Sequence, residues 1–147
     1  MAIDNETYSY RENKIVAVLD KKLELGVALN VIGHLSVSLG AFSSEGMMGR
    51  SSILDGDGVS HIGIAKYPYI ITKTRNTKLV KAIETARTVD GIFCADYPVQ
   101  MLDTGHDDEL TEALSDATKD SIEYLGAVFY GKTADIDRIT GKFTLYR

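Results

Sequence analysis

Lys14-Ile15-Val16-Ala17-Val18-Leu19-Asp20 decides the fold, because a continuous apolar run of this length is typical of a strand covered on both faces. Four similar runs follow at 69–72, 91–95, 125–130 and 143–146, and the last alternates as an edge strand does. Apolar residues recur at helical spacing between them, over 26–41, 77–90 and 107–118. A short helix is predicted from Thr133 to a stop at Gly141.

Strands that alternate with helices predict an α/β fold, in which helices cover both faces of one sheet. We expect a single domain over residues 1–147, built as a three-layer α/β/α sandwich around a mixed, mostly parallel sheet of four to five strands. The last link, over residues 131–142, is short for a parallel crossover and therefore predicts one antiparallel strand.

The charge balance disfavours nucleic acid as a partner. The chain has 16 Lys and Arg residues against 21 Asp and Glu residues, a formal net charge of -5, whereas binding through phosphates favours a basic surface. The charge is nevertheless uneven, since residues 66–82 contain five basic side chains and no acidic one. A solvated helix face is the simpler interpretation of this segment, and a small basic area that attracts an anion is the alternative.

Other sequence patterns narrow the class of protein. Residues 1–12 are polar and contain no signal-peptide core, and no apolar run approaches the roughly 18–20 residues of a membrane span, so we expect a cytoplasmic protein with no membrane partner. The single cysteine, Cys94, lies in an apolar run and is predicted to be a buried, unreactive thiol. No zinc-ligand spacing, phosphate-binding loop or dinucleotide fingerprint occurs, so neither a metal nor a cofactor is predicted.

The predicted helix over 26–41 has two different sides. One side is expected to face the core with Ala28, Val31, Ile32, Leu35, Leu39 and Phe42. On the opposite side, glycines at seven-residue intervals form a stripe, and polar residues follow at four-residue intervals beside it. The stripe consists of Gly26, Gly33 and Gly40, and the polar row consists of Asn30, His34 and Ser38.

The glycine stripe has a cost that needs an explanation. A glycine inside a helix is about 1 kcal/mol less favourable than alanine, so three in register indicate that something approaches this surface closely. The candidates are a ligand and a second helix, including one from another copy of the chain. The simpler alternative is a tight contact within the chain, with His34 as a polar residue satisfied by its own surroundings.

Two acidic residues follow predicted strands, and a long Gly/Ser-rich segment follows the first helix. Asp20 and Asp96 end the first and third predicted strands, near the carboxyl edge where α/β proteins bind ligands, although each also fits a turn or helix cap. Within residues 42–64, Asp55-Gly56 predicts a hairpin turn. Residues 42–52 are expected to close over a binding site as a loop.

Several motifs resemble known families. The run from Lys14 to Asp20, followed by Gly26 and His34, resembles the opening of type II peptidyl-tRNA hydrolases, and residues 137–145 resemble their closing helix and strand. A closer resemblance is to the bacterial domain-of-unknown-function family numbered two thousand, through the segments 26–35, 55–59 and 124–131. The resemblance implies the hydrolase-like fold, a cleft centred on His34 and a homodimer.

The residues of the hydrolase reaction are not carried over. The resemblance places catalytic lysines where this chain has Leu25 and Val27, and a glutamine where it has Val31. Aliphatic side chains neither contact a phosphate ionically nor polarise a water molecule. In the later motif Asp96 is matched, but Tyr97 and the residues after it depart from the family pattern.

We therefore predict an unidentified small molecule as ligand, bound in a cleft beside the first helix, and the sequence leaves open whether the cleft is hydrolase-like. His34 and Asp96 are the candidate catalytic residues. The candidate ligand-binding residues are Asp20, Gly26, Asn30 and Ser38. The alternatives are a non-catalytic homodimeric module, which packs through the glycine stripe, and residual peptidyl-tRNA hydrolysis.

Overall fold

The computed structural model describes residues 8–43 and 46–147. The five predicted strands and four predicted helices are all present, with their ends shifted by a few residues. The strands are β1 (Asn13–Asp20), β2 (Ile53–Leu54), β3 (Ser60–His61), β4 (Tyr69–Thr74), β5 (Phe93–Pro98), β6 (Tyr124–Lys132) and β7 (Thr144–Leu145). The helices are α1 (Leu25–Phe42), α2 (Asn76–Arg87), α3 (Asp107–Ser115) and α4 (Thr133–Thr140), with a 3-10 helix at Val99–Leu102.

The main sheet is mixed but mostly antiparallel, which corrects the prediction of a mostly parallel sheet. Its five strands lie in the order β5-β6-β1-β4-β7. Strands β1 and β4 pair in parallel, from Ile15 opposite Tyr69 to Asp20 opposite Thr74. The other three pairings in this sheet are antiparallel. Strand β7 is antiparallel to its neighbour β4, but it runs in the same direction as β6. The short link before it, which contains α4, is therefore a crossover, contrary to the reason given for predicting an antiparallel strand.

The direction of β6 follows from the connection that precedes it. Parallel neighbours need a crossover that covers one face of the sheet, usually a helix. Between β5 and β6 the chain forms the 3-10 helix and α3, and neither contains a buried residue. Because no helix covers the sheet in this connection, the chain turns back beside β5, and β6 is antiparallel to both of its neighbours.

Helices cover both faces of the sheet, as a three-layer arrangement requires. Successive residues of β1 alternate between the two faces, with Ile15 and Leu19 in the core under α1 and Val16 and Val18 in the core under α2 and α4. Strand β6 is buried on both faces from Tyr124 to Gly131, and only its last residue, Lys132, is exposed. This double burial explains why β1 and β6 are continuous apolar runs in the sequence.

Helix α1 supplies most of the helical side of the first core. Its buried residues are Ala28, Val31, Leu35 and Leu39, and Ile32 packs against them partly buried. Phe42, which was predicted to face the core, is 79% exposed because it ends the helix where the chain continues in extended conformation. The 18 residues of α1 are long and apolar enough to cross a membrane, by length and composition alone. No segment of this length and hydropathy was expected from the sequence. In the fold, one side of α1 packs on the sheet.

The predicted hairpin turn is confirmed between β2 and β3. The Asp55 carboxylate accepts hydrogen bonds from the main-chain N–H groups of Asp57 and Val59 and contacts Nε2 of His61 at 2.9 Å. The bond to His61 is the main cause that lowers the pKa of Asp55. The glycine that adopts a positive φ, +81°, is Gly58 rather than Gly56.

Candidate functional site

A cleft of about 360 Å³ lies where α1, the end of β5 and the start of α3 meet. We call it the α1–α3 cleft. Among the residues that line it are His34, Ser38, Asp96, Met101, Thr104 and His106. Three of the six residues predicted for the site, His34, Ser38 and Asp96, therefore line one cleft. Helical spacing explains the first two, because positions four residues apart share a face of α1.

His34 is exposed and faces Tyr97 across the cleft. The centroids of the two rings are 5.9 Å apart, and the ring planes are inclined by 54°. Within the described residues, neither imidazole nitrogen has a hydrogen-bond partner. The simpler alternative, a histidine satisfied by its own chain, is thus not supported by the described contacts. Both nitrogens are available to donate to a ligand or accept from one.

Asp96 lines the cleft but is held by another residue. Its Oδ2 accepts a hydrogen bond of 2.7 Å from Nη2 of Arg87, which is the last residue of α2. Burial raises the pKa of Asp96, and the charge of Arg87 partly offsets that rise. The described contacts of this carboxylate therefore join it to α2 and form no hydrogen bond with His34.

Three predicted ligand-binding residues lie outside the lining of the cleft. Asp20 accepts hydrogen bonds from the N–H of Lys22 at 3.0 Å and from Nδ2 of Asn76 at 3.2 Å. Asp20 thus joins the end of β1 to the start of α2, which is the turn or cap role left open by the sequence. Gly26 and Asn30 lie on the exposed outer side of α1.

The glycine stripe is open in this chain. A Cβ atom added at Gly26, Gly33 or Gly40 would meet nothing within 4 Å. No close contact within the described chain therefore explains these glycines, in contrast to the simpler alternative. The stripe is flanked by the exposed apolar side chains of Leu29 and Val37.

The wall of the cleft opposite α1 was missed by the sequence analysis. It consists of the 3-10 helix and the start of α3, including Met101, Thr104, His106 and Asp107. The first turn of α3 contains three acidic residues, which compensate the positive end of the helix dipole. Their position beside His106, at the N-cap of α3, was the signal in the sequence for this wall.

The predicted lid does not cover the cleft. Residues 44 and 45 lie outside the described residues, and nothing in 46–52 lines the α1–α3 cleft. Met47 instead packs in the first core, and its carbonyl oxygen accepts a hydrogen bond from the N–H of Lys66. These contacts hold the described part of the loop against the sheet.

The side chains of the cleft favour an organic ligand over a metal ion. In residues 8–43 and 46–147, no group of three or more His, Cys, Asp and Glu side chains could hold a metal. Burial raises the pKa of the Cys94 thiol to about 12, as expected for an unreactive cysteine. The cleft combines imidazoles, hydroxyls, the Tyr97 ring and the Met101 thioether, which suit a small molecule with polar and apolar parts.

Comparisons with known proteins place the chain in a family. The sequence model of the family described as "Protein of unknown function (DUF2000)" matches residues 13–147, so the chain belongs to this family. The solved structure of a protein of unknown function from Agrobacterium tumefaciens strain C58 is similar, with a TM-score of 0.81 and 24% sequence identity. The match covers 92% of this chain and 98% of that one, and at this identity it shows the fold alone. No curated protein matches the chain.

Proposed function

We propose that this member of the family binds a small polar molecule in the α1–α3 cleft, with His34 as the group that recognises it. The observation that supports the proposal most is the exposed imidazole of His34, which has no hydrogen-bond partner in the described chain and lines a cleft of about 360 Å³. A volume of this order suits a small organic ligand.

We propose that the cleft binds its ligand by hydrogen bonds, and that the same imidazole can also serve in general acid–base catalysis. An imidazole can both accept and donate a proton, so His34 is suited to act as general acid or base in a reaction such as hydrolysis. Ser38 and Thr104 add hydroxyl groups on opposite walls. In this proposal the bond between Asp96 and Arg87 positions the end of β5, and Asp96 does not share a proton with His34.

The experiment is a screen of polar fragments by NMR with the ¹⁵N-labelled protein, followed by the same screen on two variants. His34→Ala should abolish the shifts of hits in the cleft and leave the melting temperature nearly unchanged, because the imidazole is exposed. Asn30→Ala is the matched control, since it truncates a polar side chain one turn away on the same helix. Hits that bind His34→Ala unchanged, or a large drop in its melting temperature, would contradict the proposal.

A second candidate function is that of a homodimeric module that packs through the outer side of α1. The open glycine stripe and the apolar Leu29 and Val37 beside it support this candidate, because small residues allow the backbones of two helices to approach closely. Gly33→Leu should then sediment as a monomer. A wild-type chain that sediments as a monomer, or a Gly33→Leu dimer, would contradict it.

Residual peptidyl-tRNA hydrolysis is the weaker alternative. Val31, at the position of the hydrolase glutamine, is completely buried in the core and cannot reach a ligand. A cleavage assay on an N-acyl-aminoacyl-tRNA tests this alternative, and we expect no turnover at high protein concentration.

A further inference from the structure

The parallel pair β1 and β4 creates a second place where a ligand fits. The chain after β1 forms α1 on one face of the sheet, whereas the chain after β4 forms α2 on the other face. Two parallel neighbours whose helices diverge in this way leave a crevice at their carboxyl ends, which is where open α/β sheets bind ligands. We call the cavity at this place the switch-point crevice. Its volume is about 390 Å³.

The switch-point crevice is strongly cationic. Five positively charged side chains line it, and no acidic residue does: Lys21, Lys73, Arg75, Lys78 and Lys142. They come from the ends of β1 and β4, the first turn of α2 and the link to β7. In a chain with a formal net charge of -5, such a concentration of positive charge favours an anionic ligand.

None of these five cations has a carboxylate partner among the described residues. Lys73 donates to the main-chain oxygen of Arg147 at 3.4 Å and lies over the ring of Tyr146. Within the described residues, no ion pair involves any of the five. Other cations of the chain, such as Lys14 and Arg87, are paired with aspartates.

The N-terminus of α2 adds to the positive electrostatic potential of the switch-point crevice. No side chain caps the N-terminus of this 12-residue helix, and its first turn contains no acidic residue. The positive end of the helix dipole therefore adds to the positive charge at the crevice. Asp20, the nearest carboxylate along the chain, is bound to Asn76 and to the N–H of Lys22.

A more apolar groove of about 300 Å³ adjoins the crevice between α2 and α4. The two cavities share Lys78, Lys142 and Phe143. Farther along, the groove is lined by Ala82 and Ile139, together with Thr85 and the charged residues Lys81 and Arg138. A ligand with a charged end and an apolar end could thus occupy both cavities at once.

We propose that the switch-point crevice binds the phosphate groups of a small organic phosphate with two or more negative charges, whose apolar part lies in the groove between α2 and α4. A nucleoside diphosphate has this chemistry. The proposal is independent of the α1–α3 cleft, because none of the five cations lines that cleft.

The test is isothermal titration calorimetry with pyrophosphate, ADP and adenosine at constant ionic strength. We expect pyrophosphate to bind, ADP to bind more tightly and adenosine not to bind. Lys78→Gln and Lys142→Gln should each weaken ADP binding about tenfold, because each removes a charge-assisted contact. Lys119→Gln removes the same charge outside the crevice and should change the affinity less than about twofold.

The proposal is overturned if neither phosphate binds at millimolar concentration, or if the two crevice variants bind as tightly as the wild type. Equal affinities for ADP and pyrophosphate would overturn the role of the apolar groove. Melting temperatures verify that each variant is folded, and two independent lysines keep the test valid if one variant is not. His34→Ala should retain full ADP affinity, so a failure of the proposed cleft function remains distinguishable from a failure here.

Discussion

The α1–α3 cleft and the switch-point crevice are similar in size, about 360 and 390 Å³, but differ in how their charges are compensated. In the cleft, the charge of Asp96 is balanced by Arg87 at 2.7 Å. In the crevice, five cations face one another without an acidic residue among them. The comparison teaches that two cavities of similar size on one sheet can favour different ligands, because the charges of one are compensated within the chain and those of the other are not.

The two helices that begin at these cavities show the same contrast. The first turn of α3, at the cleft, carries Asp107, Asp108 and Glu109, which compensate the positive end of its dipole. The first turn of α2, at the crevice, has no acidic residue. The first turn of α3 thus contains acidic residues that compensate its dipole, whereas the first turn of α2 contains none.

Leu35→Ala should have the largest effect on stability, and it tests whether the cleft and the crevice are independent of each other. Leu35 is 2% exposed and lies in the core under the cleft, so its truncation should lower the free energy of unfolding by about 2–5 kcal/mol. Urea denaturation measures the loss. ADP affinity, measured where the variant is folded, should not change; a coupled loss would mean that the two regions are not independent.

The second effect concerns the charge pair at the cleft. Arg87→Met leaves Asp96 without its partner, which should cost about 1–3 kcal/mol at neutral pH. It should also raise the pKa of Asp96 further, because Arg87 lowers it. Carboxyl NMR titration and urea denaturation across pH measure the two effects.

The sign of the pH dependence follows from the direction of the shift. Burial holds the folded-state pKa of Asp96 above its unfolded value, so ionisation of this carboxyl costs stability as pH rises through the folded pKa. The deficit of Arg87→Met should therefore be full at neutral pH and shrink as acid protonates Asp96. Arg138→Met, which removes an exposed pair with Asp135 at 3.5 Å, is the control and should cost no more than about 0.5 kcal/mol. A deficit that persists unchanged in acid would contradict this account of Asp96.

The third effect is the salt dependence of binding. Raising the salt concentration from about 50 to about 200 mM should weaken ADP binding in the crevice several-fold, because exposed charges are screened. Fragments bound at His34 should lose much less affinity, since no Lys or Arg is among the described residues that line the cleft. Calorimetry at two salt concentrations measures both, and equal salt dependence would remove the proposed difference between the sites.

The smallest effect tests the outer side of α1. Gly33→Ala places a methyl group where nothing lies within 4 Å, so helix propensity should stabilise a monomeric chain by about 0.5–1 kcal/mol. In a homodimer packed on this stripe, the same change should weaken association. Urea denaturation at two protein concentrations, together with sedimentation, distinguishes the two results.

The sequence predicted the positions of the strands and helices better than it predicted their directions. Each strand of the sheet leaves a local signal, such as the continuous apolar run of β1. The antiparallel direction of β6 depends on α3, whose lack of buried residues becomes visible only once the chain is folded. The helical spacing of apolar residues in α3 predicts a helix, but it does not reveal whether that helix packs on the sheet.

The two candidate sites were predictable to different degrees, for a related reason. His34 and Ser38 share one helix, so their spacing alone placed them together. The basic segment 66–82, noted from the sequence, contains three of the five cations of the crevice, namely Lys73, Arg75 and Lys78. Lys21 and Lys142 join it from distant parts of the chain, and no local pattern connects them. Asp20 fitted a site and a turn or cap equally well, and its hydrogen bonds to Lys22 and Asn76 show the turn after β1.

The central claim, that one sheet carries two sites of different charge, is tested most directly by mapping ADP binding on the ¹⁵N-labelled protein by NMR. The account predicts chemical-shift changes at Lys21, Arg75, Lys78 and Lys142 and none at His34, Ser38 or Thr104. Shifts confined to the α1–α3 cleft, or no shifts at saturating ADP, would contradict it.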